Sequence, residues 1–168
     1  MLKRLANIEL AHLSLLQQAL VSEAPWALIL EDDALAIDPH ETADALARFL
    51  AQYTGESQPK YVNVSESFSA NTLGIQGLGK QVGVWAEGAP LESMAKPVTN
   101  TVCAILYSRA FMLAVVDEFE AIPLKPVIPI DWKLNVAIMN LFEKGELSSG
   151  DCWQVDPAPF VQGSMHRW

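Results

Sequence analysis

Cysteine is scarce in this sequence, which has two, Cys103 and Cys152. Two cysteines are too few for the disulfide framework of a small secreted protein. Cys103 lies in an apolar run and is predicted to be a small buried hydrophobic residue, whereas Cys152 lies in a polar stretch. A single disulfide bond between these two cysteines remains an alternative, but a reducing compartment is the simpler interpretation.

Basic residues are also few, with 11 lysines and arginines against 20 aspartates and glutamates, which gives a formal net charge of -9. No stretch clusters the cations that the phosphate backbone of a nucleic acid requires, so the sequence argues against nucleic-acid binding. The negative charge is compatible with recruitment of a divalent cation, although solubility alone explains it equally well.

Long apolar runs are absent as well, because none approaches the roughly 20 residues that cross a bilayer. The first residues, MLKRLANIELAH, contain a basic pair, but Glu9 and His12 interrupt the apolar segment that a signal peptide needs. We therefore expect a soluble, cytoplasmic protein without a membrane span, and peripheral association with a membrane stays open.

Apolar residues are abundant, at 51% of 168 residues, and this length predicts a single domain over residues 1–168. Apolar side chains recur with helical and strand-like spacing in alternation, which predicts an α/β layered domain. Helices are predicted at residues 5–21, after Asp38, after Ser108 and at 132–144, and strands at 26–30, 60–64 and 99–107. Residues 151–168 contain one further candidate strand.

Two of the predicted helices begin with capping signals. Asp38 is predicted to cap a helix whose first position is Pro39, and Glu41 completes a capping box. Ser108 is predicted to cap the helix that follows the strand at 99–107.

Periodicity disappears between residues 65 and 97, where five glycines and many small polar residues occur. The sequence predicts one long irregular loop over this segment. Loops of this length within a small domain are usually functional or mobile.

Three consecutive acids, Glu31, Asp32 and Asp33, follow the apolar strand candidate WALIL. Ligands of α/β sheets bind at the carboxyl ends of strands, and carboxylate oxygens suit Mg²⁺ or Mn²⁺. If strand geometry continues, Glu31 and Asp33 share a face and Asp32 points the other way. The alternative is that these acids are turn formers or helix caps, which often follow a strand.

Four segments in order resemble those of the family 25 glycosyltransferases, the sugar transferases of lipooligosaccharide biosynthesis. In residues 11–37, AHLSLLQQALVSEAPWALILEDDALAI, His12 matches the family's histidine, Ala11 replaces its serine, and the Glu-Asp-Asp triplet follows at the familiar spacing. The later similar segments are TNTVCAILYSRAFMLAVV, VIPIDWKL and APFVQGS. Together they cover most of the chain, and the segment 65–97 is the weakest part of the match.

The resemblance implies a GT-A-like layered sheet with flanking helices. It also implies transfer of a hexose from a nucleotide sugar to a lipopolysaccharide-type or other glycan acceptor, with inversion at the anomeric carbon. Mn²⁺ or Mg²⁺, held by Glu31, Asp32 and Asp33, is implied to neutralise the leaving diphosphate.

Four other residues receive roles from the same resemblance. Asp131 is the candidate base for the acceptor hydroxyl, or an acceptor-binding group, and helix N-capping is an alternative of at least equal weight. His12, Gln162 and Ser164 are candidates for substrate binding. The alternative for His12 is a helix histidine with satisfied hydrogen bonds.

The sequence departs from the family at its beginning, where the family has a strand, an arginine-containing loop and further strands. Met1 falls directly before the first predicted helix, so the fold is expected to be N-terminally truncated relative to the family. Three explanations would account for the missing first strands. The chain is a fragment or has a wrongly assigned start, it is a degenerate inactive relative, or a partner chain completes its pocket. An exposed sheet edge would favour a homo-oligomer.

Two function hypotheses follow. The first is a glycosyltransferase, a hexosyltransferase if it is active, which the intact acidic triplet favours. The second is a non-catalytic sugar- or protein-binding domain on a degenerate glycosyltransferase scaffold, which the missing first strands favour.

Overall fold

The computed structural model of this protein describes residues 2–54, 60–66, 78–94, 101–122 and 128–166. Helices and strands both contribute, so the expected α/β class is confirmed. The helices are α1 (Leu2–Val21), α2 (Pro39–Gln52), α3 (Arg109–Ala121), α4 (Ile130–Glu143) and the short α5 (Gly163–His166). The strands are β1 (Trp26–Leu30), β2 (Ala34–Ala36), β3 (Tyr61–Asn63), β4 (Leu78–Ala86), β5 (Ala89–Met94), β6 (Ala104–Ser108), β7 (Cys152–Val155) and β8 (Phe160–Gln162).

Six of the strands form an open sheet in the order β1-β6-β3-β7-β5-β4. Only β3 and β7 run parallel among the paired strands that the structure describes, and the other neighbours are antiparallel. β2 and β8 form a separate antiparallel pair. β1, the strand that precedes the acidic triplet, therefore lies at one edge of the main sheet.

Successive strand residues point to opposite sides of this sheet, and helices cover both of its faces. Ile29, Tyr61 and Ile105 pack with α1, α3 and α4 in one apolar cluster. Val62 and Leu106 pack in a second cluster with α2 and the small β2–β8 sheet. The main sheet thus separates a three-helix layer from a thinner layer around α2.

Both predicted helix caps are confirmed. The Asp38 carboxylate accepts a hydrogen bond of 3.0 Å from the Glu41 backbone N–H, and Pro39 occupies the first helical turn. The Ser108 hydroxyl accepts a hydrogen bond from the Phe111 backbone N–H at the start of α3. These side chains satisfy backbone donors that have no partner within the helix, so the signals are local and readable from sequence.

The start of α4 differs from the prediction. The N-cap position is Pro129, whose ψ of 152° is extended, and Asp131 lies in the first turn of the helix. Asp131 is therefore not the N-cap. The apolar face predicted for this helix is confirmed, since Leu134, Ala137, Ile138 and Leu141 are buried.

The prediction of an irregular loop over residues 65–97 is wrong for residues 78–94, which form the β4–β5 hairpin. Register shifts along β4 disturb the alternation that marks a strand in sequence. A Cβ atom at Gly79 would lie 2.5 Å from the Ser93 hydroxyl and 3.0 Å from the Ser93 carbonyl oxygen, so a side chain there would displace Ser93. Residues 67–77 and 95–97 lie outside the described residues.

Both cysteines are buried and free. Cys152, despite its polar sequence neighbours, lies in β7 between β3 and β5, inside the sheet. Among the residues that the structure describes, no helix combines the length and the apolar character needed to cross a membrane.

Candidate functional site

The acidic triplet begins where β1 ends, and the sheet hydrogen bonding continues one residue beyond the strand. The Glu31 backbone N–H donates to the Cys103 carbonyl at 2.9 Å. Glu31 follows Ile29 by two residues, and Ile29 packs towards α1, α3 and α4. Strand alternation therefore turns the Glu31 side chain towards the helical layer.

Asp33 is held by the segment that enters α5. The Gly163 backbone N–H donates to the Asp33 carbonyl at 2.8 Å, and the Ser164 backbone N–H donates to the Asp33 carboxylate at 3.2 Å. A Cβ atom at Gly163 would lie 3.0 Å from the Asp33 carbonyl oxygen. Glycine at this position permits the close approach that orients Asp33.

A cavity of about 630 Å³ lies between α1 and the end of β1. Six of the seven residues that the sequence singled out line it: His12, Glu31, Asp32, Asp33, Gln162 and Ser164. The seventh, Asp131, lines an adjoining cavity of about 210 Å³, which shares Glu31 and Gln162 with the first. The structure thus brings all seven predicted residues to one place.

A metal ion fits three of the donors at this place. Carboxylate oxygens of Glu31 and Asp33 and the Cys103 sulfur all lie within 4.8 Å of one another. Two ligands of one ion stand at most roughly 4.6 Å apart, twice a metal–sulfur bond of about 2.3 Å, so small side-chain rotations bring these three onto one ion. Asp32 is exposed and is not a member of this group.

Negative charge and burial change the protonation of these groups. Burial first, and then the neighbouring carboxylates of Asp33, Asp32 and Asp131, raise the pKa of Glu31. Burial and the carboxylates of Glu31 and Asp33 raise the pKa of the Cys103 thiol to about 12. Neutralising this excess of negative charge is what a divalent cation does in such a site.

Asp131 contributes a half-buried carboxyl group next to this cluster. Burial raises its pKa, while the backbone N–H groups of Trp132 and of Asp131 itself lower it to a smaller extent. A carboxylate with a raised pKa holds a proton more readily, which is the property that a general base needs.

His12 faces the cavity from α1 and is hydrogen-bonded to a buried tyrosine. The His12 Nε2 lies 3.1 Å from the Tyr107 hydroxyl, and the two rings meet edge to face. Burial lowers the pKa of His12 to about 4 and raises that of Tyr107 well above its usual range. Both groups are therefore neutral at pH 7, and His12 offers a hydrogen bond there rather than a positive charge.

Gln162 and Ser164 contact the carboxylates directly. The Gln162 side-chain amide donates to the Glu31 carboxylate at 3.3 Å, and the Ser164 backbone donates to Asp33 as described above. Their observed contacts are therefore to the acidic residues. Ser164 is exposed and lines the cavity.

The helices that carry His12 and Asp131 are joined by a buried ion pair. Lys133 on α4 donates to the Glu9 carboxylate on α1, and both side chains are more than nine-tenths buried. Glu9 lies one turn from His12, and Lys133 lies two residues from Asp131. This pair therefore helps to fix the positions of the two helix segments that flank the cavities.

Positive charge is missing from the part of the cavity walls that the structure describes. None of the described residues that line the two cavities is a lysine or an arginine. Among these described residues, a phosphorylated ligand would therefore meet no lysine or arginine to neutralise its charge, unless a cation is bound.

Cys103 and Tyr107 are the members of this site whose role the sequence reasoning missed. Cys103 was predicted to be a buried hydrophobic residue, and its burial is confirmed, but its sulfur stands beside two carboxylates. The antiparallel pairing of β1 with β6 brings it opposite Glu31. No local signal shows that pairing, because the two strands are far apart in sequence.

No protein-family model matches this chain, and no curated protein does. The resemblance to the family 25 glycosyltransferases therefore rests on the residues quoted above and on their order along the chain.

Proposed function

We propose that this protein is a metal-dependent, inverting glycosyltransferase that moves a hexose from a nucleotide sugar to a lipopolysaccharide-type or other glycan acceptor. One observation carries the proposal. Seven residues, selected from three separate segments by their resemblance to the family 25 glycosyltransferases, line one cavity and its neighbour. Such segments meet only through tertiary structure.

The proposal includes a GT-A-type arrangement and a cytoplasmic location. An open mixed sheet between helical layers, with acids at the end of a strand, supports the first. Two free buried thiols support the second, because thiols persist in reducing compartments.

Glu31 and Asp33 would hold the Mn²⁺ or Mg²⁺ ion, whereas Asp32, the third acid of the predicted set, is exposed and would stay outside the ligands. When bound, the ion neutralises the diphosphate that leaves with the nucleotide. Cavity walls without lysine or arginine in the described part of the chain support this role for a cation.

Asp131 would accept the proton of the acceptor hydroxyl as that oxygen attacks the anomeric carbon. The bond between the sugar and the diphosphate breaks, the proton stays on the Asp131 carboxylate, and the nucleotide diphosphate leaves. The raised pKa of Asp131 supports this assignment. His12, Gln162 and Ser164 would orient the substrates through neutral hydrogen bonds.

Calorimetry with Mn²⁺, followed by a UDP-hexose in the presence of Mn²⁺, tests the metal site. Asp33→Ala should weaken Mn²⁺ binding by about 100-fold or more, because the loss of a ligand exceeds the usual effect of losing an outer-shell partner. Asp32→Ala is the matched control and should change binding by only a few fold, since Asp32 is exposed. Absence of Mn²⁺ binding by the wild-type protein would overturn the metal-dependent function.

Release of UDP from the UDP-hexose, with and without glycan acceptors, separates the two function hypotheses. Asp131→Asn should lower turnover by roughly 10²- to 10⁴-fold and leave donor affinity unchanged. Donor binding without turnover in the wild-type protein would instead support a non-catalytic sugar-binding domain. Glycan binding without any donor binding would lead to the same conclusion.

The edge strand β1 leads to a proposal on assembly, namely that two copies pair through this strand in antiparallel orientation. β1 pairs with β6 on one side, and no other described strand pairs with it. Its residues, WALIL, include none of the charges or prolines that protect an edge. Antiparallel pairing puts the two acidic triplets at opposite ends of the interface, whereas parallel pairing would bring like charges together.

A further inference from the structure

Cys103 differs from an ordinary buried cysteine in what surrounds it. Its residue is 0% exposed, yet it belongs to neither of the two apolar clusters that form the core. Cys152 is equally buried and is a member of the cluster on the helical side of the sheet. The two free cysteines are therefore equally buried, but only Cys152 packs within an apolar cluster.

The polar neighbours of Cys103 are the carboxylates of Glu31 and Asp33. The sulfur and one oxygen of each carboxylate lie within 4.8 Å of one another. The Cys103 backbone is held on both sides, because its N–H donates to the Thr101 hydroxyl at 3.1 Å and its carbonyl accepts from Glu31 at 2.9 Å. These bonds fix the position from which the sulfur faces the two acids.

We propose that Cys103 is a ligand of the metal ion at this site, and that the ion is a transition metal such as Co²⁺ or Zn²⁺ rather than Mg²⁺. The inference rests on the metal site of the proposed function and narrows the ion that it takes. A thiolate is a soft ligand that selects zinc-like ions, whereas Mg²⁺ requires oxygen ligands in a near-ideal octahedron. A set of two oxygens and one sulfur therefore disfavours Mg²⁺.

Binding replaces one bond by another without any change of oxidation state. The S–H bond of Cys103 breaks as the bond between sulfur and metal forms, and the proton leaves to the solvent. Co²⁺ is expected to bind more tightly than Mn²⁺, following the general order for divalent metals.

Titration of the full chain with Co²⁺, followed by absorption spectroscopy, tests the proposal. A thiolate ligand gives a charge-transfer band in the near ultraviolet that oxygen ligands do not give. Wild-type protein and the matched control Cys152→Ser should both show the band, and Cys103→Ser should lack it. Cys103→Ser should also weaken Co²⁺ binding by about 100-fold while leaving Mg²⁺ binding unchanged within a few fold.

The outcomes separate this inference from the function on which it rests. Binding of Co²⁺ and Mn²⁺ without a thiolate band would overturn the role of Cys103 and leave the acidic metal site intact. No binding of any ion would overturn both. A band that survives in Cys103→Ser and disappears in Cys152→Ser would show that Cys152 is the thiolate ligand, and would overturn the proposal for Cys103. Far-ultraviolet circular dichroism of each variant checks that it is folded.

Discussion

His12 lies on α1 with 5% of its surface exposed, and its hydrogen-bond partner is the fully buried Tyr107. Burial penalises the charged imidazole and lowers its pKa to about 4. In the unfolded chain its pKa is near 6.5. The unfolded state therefore binds more protons between these two values, which links the free energy of unfolding to pH.

The contribution of His12 to the free energy of unfolding should be largest above pH 6.5 and fall as the pH is lowered from 6.5 towards 4. The contribution of His12 to this loss is roughly 3 kcal/mol, and it levels off below pH 4. Urea denaturation across this pH range should show a flatter profile for His12→Gln. His40→Gln, on the exposed surface of α2, is the control and should keep the wild-type slope. Parallel profiles for wild type and His12→Gln would contradict the assignment.

Single residues also show how far sequence reasoning reaches. The caps at Asp38 and Ser108 were predictable because each requires contacts only with its own helix. Asp131 was placed at a helix start, but its position within the first turn depends on the extended backbone of Pro129. The role of Cys103 depends on a strand pairing over about seventy residues of sequence, which local patterns do not contain.

At the scale of elements, the contact of α1 with α4 depends on a buried ion pair. Lys133 and Glu9 have side chains 4% and 3% exposed, and the Lys133 ammonium also lies 5.6 Å from the centre of the Phe119 ring. Removing one partner leaves a buried charge without compensation, which is costlier than removing both.

Lys133→Met should lower the free energy of unfolding by about 3–5 kcal/mol, because Glu9 would remain buried and unpaired. The double variant Glu9→Leu/Lys133→Met should recover most of this loss. Lys144→Met is a comparison variant, since Lys144 pairs with Glu118 but is 50% exposed, and it should have the smaller effect. Chemical denaturation of the four proteins measures these differences, and a double variant no more stable than Lys133→Met would show that the charge is not the cause.

The β4–β5 hairpin is the largest element that the sequence reasoning missed, besides the short strand β2 and the second of the two strands in residues 151–168. Gly79 and Gly83 weaken the strand pattern, and register shifts interrupt the alternation. Only the partner strand shows why glycine is there, because a side chain at Gly79 would collide with Ser93. The turn at Gly88, with its φ of 72°, is the sort of glycine turn that a hairpin uses.

At the scale of the whole molecule, the two edges of the main sheet are β1 and β4. If two copies pair through β1, sedimentation velocity should show a concentration-dependent dimer. Leu30→Lys should abolish it, because a lysine on an edge strand opposes strand addition. Leu30 is 44% exposed, and Val84 on β4 is 57% exposed, so Val84→Lys is the matched control and should remain dimeric. A monomer at all concentrations, or loss of the dimer only in Val84→Lys, would contradict the proposal.

The sequence by itself determined the alternation of helices with strands, the caps at Asp38 and Ser108, and the residue types that gather at the end of β1. These features follow from periodicity and from contacts within a few residues. Tertiary structure decided that β1 and β6 run antiparallel, that the hairpin at 78–94 exists, and that Cys103 stands beside Glu31 and Asp33. The physical reason is that pairing and packing between distant segments depend on the partner's shape and hydrogen bonds, which local sequence does not carry.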